Sequence, residues 1–143
     1  MLFSLLTRLS TFFYADPPDC ELDRYGRVLT NIWVKGNLGF LNLNEGLVAK
    51  GLASHYLMQK AKLQNRDKLI DLQKFARERE LGMWKGFQDY PVLKTKNGTA
   101  FHSSIACTYL PRSKHLINTT AVEAMDLGMH PCRSCTPEMC IGN

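Results

Sequence analysis

Apolar and polar positions along this chain switch between a helical and a strand period, and the switches mark its elements. Leu2, Leu5, Leu6 and Leu9 recur at helical spacing, and Thr11-Phe12-Phe13-Tyr14 follows as a strand-like run. Asp16-Pro17-Pro18-Asp19 predicts a turn, after which Val28 to Val34 is apolar and β-branched enough for a strand that Lys35-Gly36-Asn37 ends. Asn44 has the chemistry of an N-cap for a short helix to Lys50, with Gly51 as its stop. A longer helix is expected from Asn65 to Leu81, with Leu69, Leu72 and Ala76 on one face and Gly82 beyond its end. Gly86 to Pro91 reads as a join, which divides the chain into residues 1–85, a linker at 86–91 and a smaller unit at 92–143.

Composition narrows the class. The chain has 143 residues, 45% apolar and 22% charged, which is globular and excludes disorder and collagen; no segment repeats with a solenoid period. No apolar run is long enough for a membrane-spanning helix. Eighteen Lys and Arg against thirteen Asp and Glu give +5, a balance suited to a polyanionic partner such as nucleic acid. Residues 1–85 hold 13 basic and 9 acidic side chains and residues 86–143 hold 5 and 4, so this division assigns most of the net charge to the first unit. In MLFSLLTRLSTFFYA, Arg8 interrupts the apolar run and small residues are missing at a cleavage site, so a helix start and an intracellular compartment are favoured, with a secretory leader as the alternative.

Cysteine placement carries the clearest chemistry. Five cysteines cannot all pair within the chain, and Cys107, Cys132, Cys135 and Cys140 crowd the C-terminal part while Cys20 stands alone. His102 and Cys107 form H-x4-C, followed after twenty-four residues by Cys132 and Cys135 in C-x2-C. Tetrahedral zinc takes four nitrogen or sulfur donors, and a C-x-x-C turn presents two thiolates to one ion. His102, Cys107, Cys132 and Cys135 are therefore the candidate ligands of a structural zinc, with four donors closing the shell. Cys140 is an alternative to Cys135, and His115 or His130 to His102. A redox C-x-x-C lacks the βαβ context it needs.

Three ordered segments then resemble one family. Asp23-Arg24-Tyr25-Gly26-Arg27-Val28-Leu29-Thr30-Asn31-Ile32-Trp33 is similar to the second signature of the staphylococcal nuclease (thermonuclease) family, with Thr30 where the family favours Gly or Ala. Asn44-Glu45-Gly46-Leu47-Val48-Ala49-Lys50-Gly51-Leu52-Ala53 resembles its next helix, and Gln73 to Trp84 resembles the helix ending in A-R-x-x-x-x-G-x-W. The resemblance implies an α+β fold built on a partial oligonucleotide-binding (OB) barrel with packed helices, and an ancestral calcium-dependent hydrolysis of phosphodiester bonds. Arg27 matches an arginine that neutralises the phosphoryl oxygens, and Tyr56 approximates a nucleotide-facing tyrosine. Those two are the catalytic candidates. The family's calcium carboxylates, its first arginine and its glutamate precede the first helix, inside which this sequence starts. Asp16, Asp19, Glu21 and Asp23 do not match them, so no calcium site is evident and impaired catalysis is expected. About two of the five barrel strands are expected here. A lone hairpin is marginal in water, so helices, a partner chain or a missing N-terminal segment must complete it.

The C-terminal unit has a resemblance of its own. Ala124-Met125-Asp126-Leu127-Gly128 through Pro137 is similar to the ending of the zinc domain of the adaptive-response DNA methylation repair protein, with His102 in place of that domain's first cysteine and H-x4-C in place of C-x3-C. It implies a small zinc-binding α+β module, without the methyl-accepting thiol. Two functions follow: a nuclease-derived protein with a zinc module, or a non-catalytic module that binds nucleic acid or a protein.

Overall fold

The computed structural model describes residues 13–22, 25–56, 65–110 and 115–136, the side chains of 13–21 excepted. It is a mixed α+β chain with two sheets. The helix expected at Leu2–Leu9 lies outside the described residues, as do Cys140 and Pro137.

The first sheet has three strands in the order β1-β2-β3: β1 Phe13–Leu22, β2 Val28–Gly36 and β3 Gly39–Asn42, all antiparallel. Sequence reading anticipated about two. The turn expected at Asp16-Pro17-Pro18-Asp19 is instead an interruption within β1. Pairing runs Phe13 with Val34 to Asp16 with Asn31, then resumes with Glu21 opposite Leu29. Prolines donate no ladder hydrogen bond, so they stand where pairing lapses and the strand continues beyond them. No closed barrel forms among the described residues.

Helix α1, Leu43–Ala49, follows β3 without a loop. Its first turn is capped by Asn42, whose Oδ1 accepts the Glu45 N–H at 3.1 Å. The expected cap, Asn44, has another task. Its Oδ1 accepts from Ile32 N–H at 3.0 Å and its Nδ2 donates to Thr30 O at 3.1 Å, tying the helix start to β2. Either asparagine suits a cap by type; pairing of β3 with β2 decides which side chain reaches which backbone.

The chain's packing divides inside α1 into residues 1–47 and 48–143. In the second unit α2, Arg66–Glu78, is three residues shorter at its C-terminus than expected. It ends in a Schellman turn: Leu81 N–H donates to Ala76 O at 2.9 Å, Glu80 N–H to Arg77 O at 3.0 Å, and Glu80 takes φ 51°. The left-handed residue is thus Glu80, which leaves Gly82 for a different purpose. Gly51 and Gly82, at φ 65° and 55°, let two backbones cross; a Cβ on Gly51 would lie 2.1 Å from Leu81 O. Met83 N–H donates to Gly51 O at 2.9 Å across this crossing. Only glycine fits such an approach.

A short 3₁₀ turn, Gly82–Trp84, leads to a second sheet ordered β6-β4-β5-β7. Its strands are β4 Pro91–Thr95, β5 Ala100–His102, β6 Leu116–Thr120 and β7 His130–Pro131, with β5 and β7 parallel and the rest antiparallel. Helix α3, Ala121–Asp126, separates β6 from β7. Thr120 and Glu123 cap it reciprocally, and Gly128 closes it with φ 79°, Met129 N–H reaching Ala124 O at 3.0 Å.

One core joins these elements. Ala76 of α2 and Trp84 pack with Val92, Phe101, Ala121, Ala124, Met125 and Met129. The face expected on α2 is buried at Leu69 and Ala76, while Leu72 is half-buried and Gln73 is fully inside because its Oε1 accepts the His55 N–H at 2.7 Å. Packing does not respect the join at 86–91. Asp89 Oδ1 accepts from Val122 N–H at 3.0 Å and Tyr90 O from Ala121 N–H at 2.9 Å, fastening that segment to the start of α3. Leu127 is exposed, because the turn at Gly128 directs Met129 inward in its place.

Candidate metal centre

His102 ends β5 and Cys132 follows β7, so the parallel pairing of Ala100 with His130 and Phe101 with Pro131 sets them side by side. Cys132 N–H donates to Phe101 O at 2.9 Å, continuing the ladder one step past β7. Cys107 comes from the turn after β5, where its N–H donates to Ser104 O at 3.2 Å and its carbonyl accepts from Leu110 N–H at 2.9 Å. Cys135 closes the C-x-x-C turn, where Thr136 N–H donates to Cys132 O at 2.9 Å and the Ser103 hydroxyl donates to the Cys135 carbonyl.

One donor atom from each of His102, Cys107, Cys132 and Cys135 lies within 4.8 Å of the others. Cys107 Sγ and Cys132 Sγ are 3.7 Å apart, far beyond a disulfide bond, and Cys135 Sγ is 3.6 Å from His102 Nδ1. Zinc bonds of about 2.3 Å to sulfur and 2.0–2.1 Å to nitrogen, at tetrahedral angles, separate two sulfurs by about 3.8 Å and a sulfur from a nitrogen by about 3.6 Å. Donor chemistry and spacing both fit one small tetrahedral cation. His102, Cys107 and Cys132 are buried and Cys135 is half-buried, so the set could hold an ion away from water.

The electrostatics divide the thiols. Burial raises the Cys107 thiol above its ordinary value, and the neighbouring Cys135 and Cys132 add to this against a backbone hydrogen bond from Tyr109. Burial also acts upward on Cys135, but backbone hydrogen bonds from Ser103 and Ser104, with the adjoining thiols, outweigh it and lower that group. N–H groups aimed at sulfur favour the thiolate, the form that binds metal. Burial lowers His102, which keeps its ring neutral and able to donate a lone pair. Leu110 packs against Cys107 and Cys132, with Leu116 at the margin, giving the cluster an apolar wall.

The remaining sequence candidates are placed as follows. His115 is exposed and outside the cluster. His130 is buried, but its ring lies 4.0 Å from the Tyr56 ring and is not among the four donors. Arg27 is exposed at the start of β2, its guanidinium 5.4 Å from the Tyr25 ring. Tyr56, also exposed, belongs to the other packing unit and accompanies His130 and Arg133, whose guanidinium lies 5.3 Å from its ring. Asp16, Asp19, Glu21 and Asp23 are acids whose side chains fall outside the description. Among the described residues, the His and Cys set is the one group of three or more such side chains placed to share an ion. Arg133, beside Cys132 in the C-x-x-C turn, is expected from the sequence to offset the site's negative charge, whereas Ser103 and Ser104 were not singled out. The two serines directly follow His102, but their meeting with Cys135 depends on the β5–β7 pairing, which no local pattern announces.

The family model described as staphylococcal nuclease homologue matches residues 8–86, more than half of the chain, and the chain belongs to that family. Its origin is thereby nuclease-related. A search of curated proteins gives no match.

Proposed function

We propose that this is a nuclease-derived protein, impaired in catalysis, that binds nucleic acid and carries a structural zinc on His102, Cys107, Cys132 and Cys135. The observation that carries the metal assignment is the gathering of those four donor atoms within 4.8 Å of one another, with one sulfur pair at 3.7 Å and one sulfur–Nδ1 pair at 3.6 Å. Four protein ligands leave no open position for a substrate, so zinc would stabilise the fold and take no part in hydrolysis. The family match ends at residue 86, which supports a join at 86–91 between a nuclease-derived segment, 1–85, and a zinc module, 92–143, similar to that of the methylation repair protein. On this reading two segments of different ancestry share one core, and the three-stranded sheet is the remaining part of an oligonucleotide-binding barrel.

Arg27 and Tyr56 are the residues proposed from the family to face a phosphodiester. The mismatch of the nearby acids to the family's ligands supports loss of calcium-dependent turnover. Elemental analysis of protein purified without added metal is expected to find one zinc per chain, as a four-ligand site implies. Incubation with single-stranded and duplex DNA in calcium is expected to give no cleavage. Calcium-dependent turnover that disappears in Arg27→Ala would overturn the impairment.

A further inference from the structure

The C-x-x-C turn opens the Cys and His cluster to solvent on one side. Cys107 and Cys132 are 6% and 5% exposed, whereas Cys135 is half-buried and the two residues before it, Arg133 and Ser134, are exposed. The four donor atoms lie within 4.8 Å of one another, so each sulfur has two others at close range. All three sulfurs are thiolates when they bind a metal, so access decides which of them a dissolved reagent meets first. That sulfur belongs to Cys135.

What the cluster holds together is equally specific. Strand β7 is two residues long and its parallel partner β5 is three. Their ladder includes His130 N–H donating to Thr99 O at 3.0 Å and Cys132 N–H donating to Phe101 O at 2.9 Å. A pairing this short is marginal by itself. A metal on His102 and Cys132 ties the last residue of β5 to the residue after β7. Phe101, next to His102, is fully buried in the core, so loosening of this tie is felt there directly.

We propose that Cys135 is a site of oxidation by peroxide, and that its closure with Cys132 into a disulfide expels the metal and releases β7 from β5. This rests on the zinc assignment above and gives that site a regulatory role in addition to its structural one. In the first step the Cys135 thiolate attacks peroxide: an S–O bond forms, the O–O bond breaks, and the departing hydroxide takes a proton to become water. In the second the Cys132 thiolate attacks the Cys135 sulfenic sulfur: an S–S bond forms, the S–O bond breaks, and that hydroxide is protonated in turn. Two thiolates lose two electrons in all, and one peroxide is reduced to two waters. Cys132 is the partner because two residues separate it from Cys135, against twenty-seven for Cys107, and the shorter loop closes at less entropic cost. His102 and Cys107 are then the remaining donors, half of a tetrahedral shell.

The test uses the full chain, with zinc content measured before hydrogen peroxide is added. Released zinc is followed with a chromogenic chelator, and cysteines are blocked with iodoacetamide at successive times and mapped by peptide mass spectrometry. Zinc release in step with a Cys132–Cys135 disulfide is expected, with faster amide exchange at His130 and Cys132, and dithiothreitol with added zinc is expected to reverse both. Cys135→His keeps four nitrogen or sulfur donors, and its zinc release is expected to be about tenfold slower. Release from Cys135→His at the wild-type rate, a disulfide that omits Cys135 or Cys132, zinc retained in peroxide, or unchanged exchange at His130 after zinc loss overturns the inference while leaving the zinc site in place. If Cys135→His holds no zinc, the wild-type peptide map decides. A wild-type chain purified without zinc overturns the zinc assignment as well.

Discussion

The two packing units use the same family inheritance in opposite ways. Among the described side chains of residues 13–47, Val34 is the one buried apolar residue, while Tyr25, Val28, Phe40 and Leu41 are exposed on or beside the three-stranded sheet. Residues 48–136 bury Trp84, Phe101 and Met125 within one core and gather a Cys and His cluster beside it. The family match, 8–86, extends across both units. Relatedness along a sequence therefore does not decide which segments stabilise one another. Here α2 and Trp84 are matched to the nuclease family yet complete the core of the unit that holds the Cys and His cluster, whose residues from 92 onward would be too few to form one.

The strongest way to break this contrast is to remove the metal site. In the double variant Cys132→Ser/Cys135→Ser, residues 65–136 are expected to lose several kcal/mol of stability, because zinc binding is folding free energy for a small module. Amide exchange should accelerate across β4–β7, α2 and α3. Slow exchange throughout those elements in zinc-free protein would disprove the coupling. The two tryptophans offer a second view, since Trp33 belongs to the first unit and Trp84 to the second. Fluorescence of a Trp33→Phe variant follows the second unit alone.

A smaller loss is expected at the backbone crossing. Gly51→Ala would place a methyl 2.1 Å from Leu81 O at a φ of 65°, and a loss of about 3 kcal/mol is expected from strain and displaced backbone. Urea titration followed by Trp84 fluorescence measures it. Next comes the ion pair that links α2 to α3. Arg77 Nη2 is 2.5 Å from Asp126 Oδ1, with the Arg77 side chain 7% exposed. Asp126→Ala leaves that guanidinium without this carboxylate and should cost about 2 kcal/mol; an effect below half of that would show that the two helices are held by apolar packing alone.

The smallest effect depends on pH. His55 is buried and its pKa is lowered, first by that burial and then by Arg66. A folded value below the unfolded one means that the unfolded chain takes up the proton first as pH falls. Stability from neutral His55 is therefore fully present above about pH 6.5 and declines below it. Comparison of the wild type with His55→Gln by urea titration at several pH values isolates this slope from protonation of the metal ligands. Equal slopes in the two proteins would remove His55 as its source.

How much of this was legible beforehand varies with the range of the interaction involved. Val28 to Val34, the short helix near Asn44 and the long helix near Leu69 follow from periodicity, since each depends on which side of one element is apolar. The four metal-site candidates follow from spacing and donor type, and the structure draws those four together. Turn chemistry was less decisive. Asp16-Pro17-Pro18-Asp19 has the composition of a turn, yet β1 resumes beyond it because Glu21 and Leu22 find partners on β2. Asn44 is a good cap by type, but its side chain is engaged by Thr30 and Ile32, so Asn42 caps instead.

By itself the sequence determined the nuclease-related ancestry, the alternation of strands and helices, and a donor set able to hold a tetrahedral cation. Tertiary structure alone decided that α2 shares a core with β4, β5 and α3, that Gly51 and Gly82 meet, and that Tyr56 lies against His130 and Arg133. The physical reason is range: helical and strand periods and C-x-x-C geometry are set by neighbouring residues along the chain, whereas each of the others depends on contacts between segments well separated along it, such as Ala76 with Phe101, Gly51 with Gly82 and Tyr56 with Arg133, which local patterns do not encode.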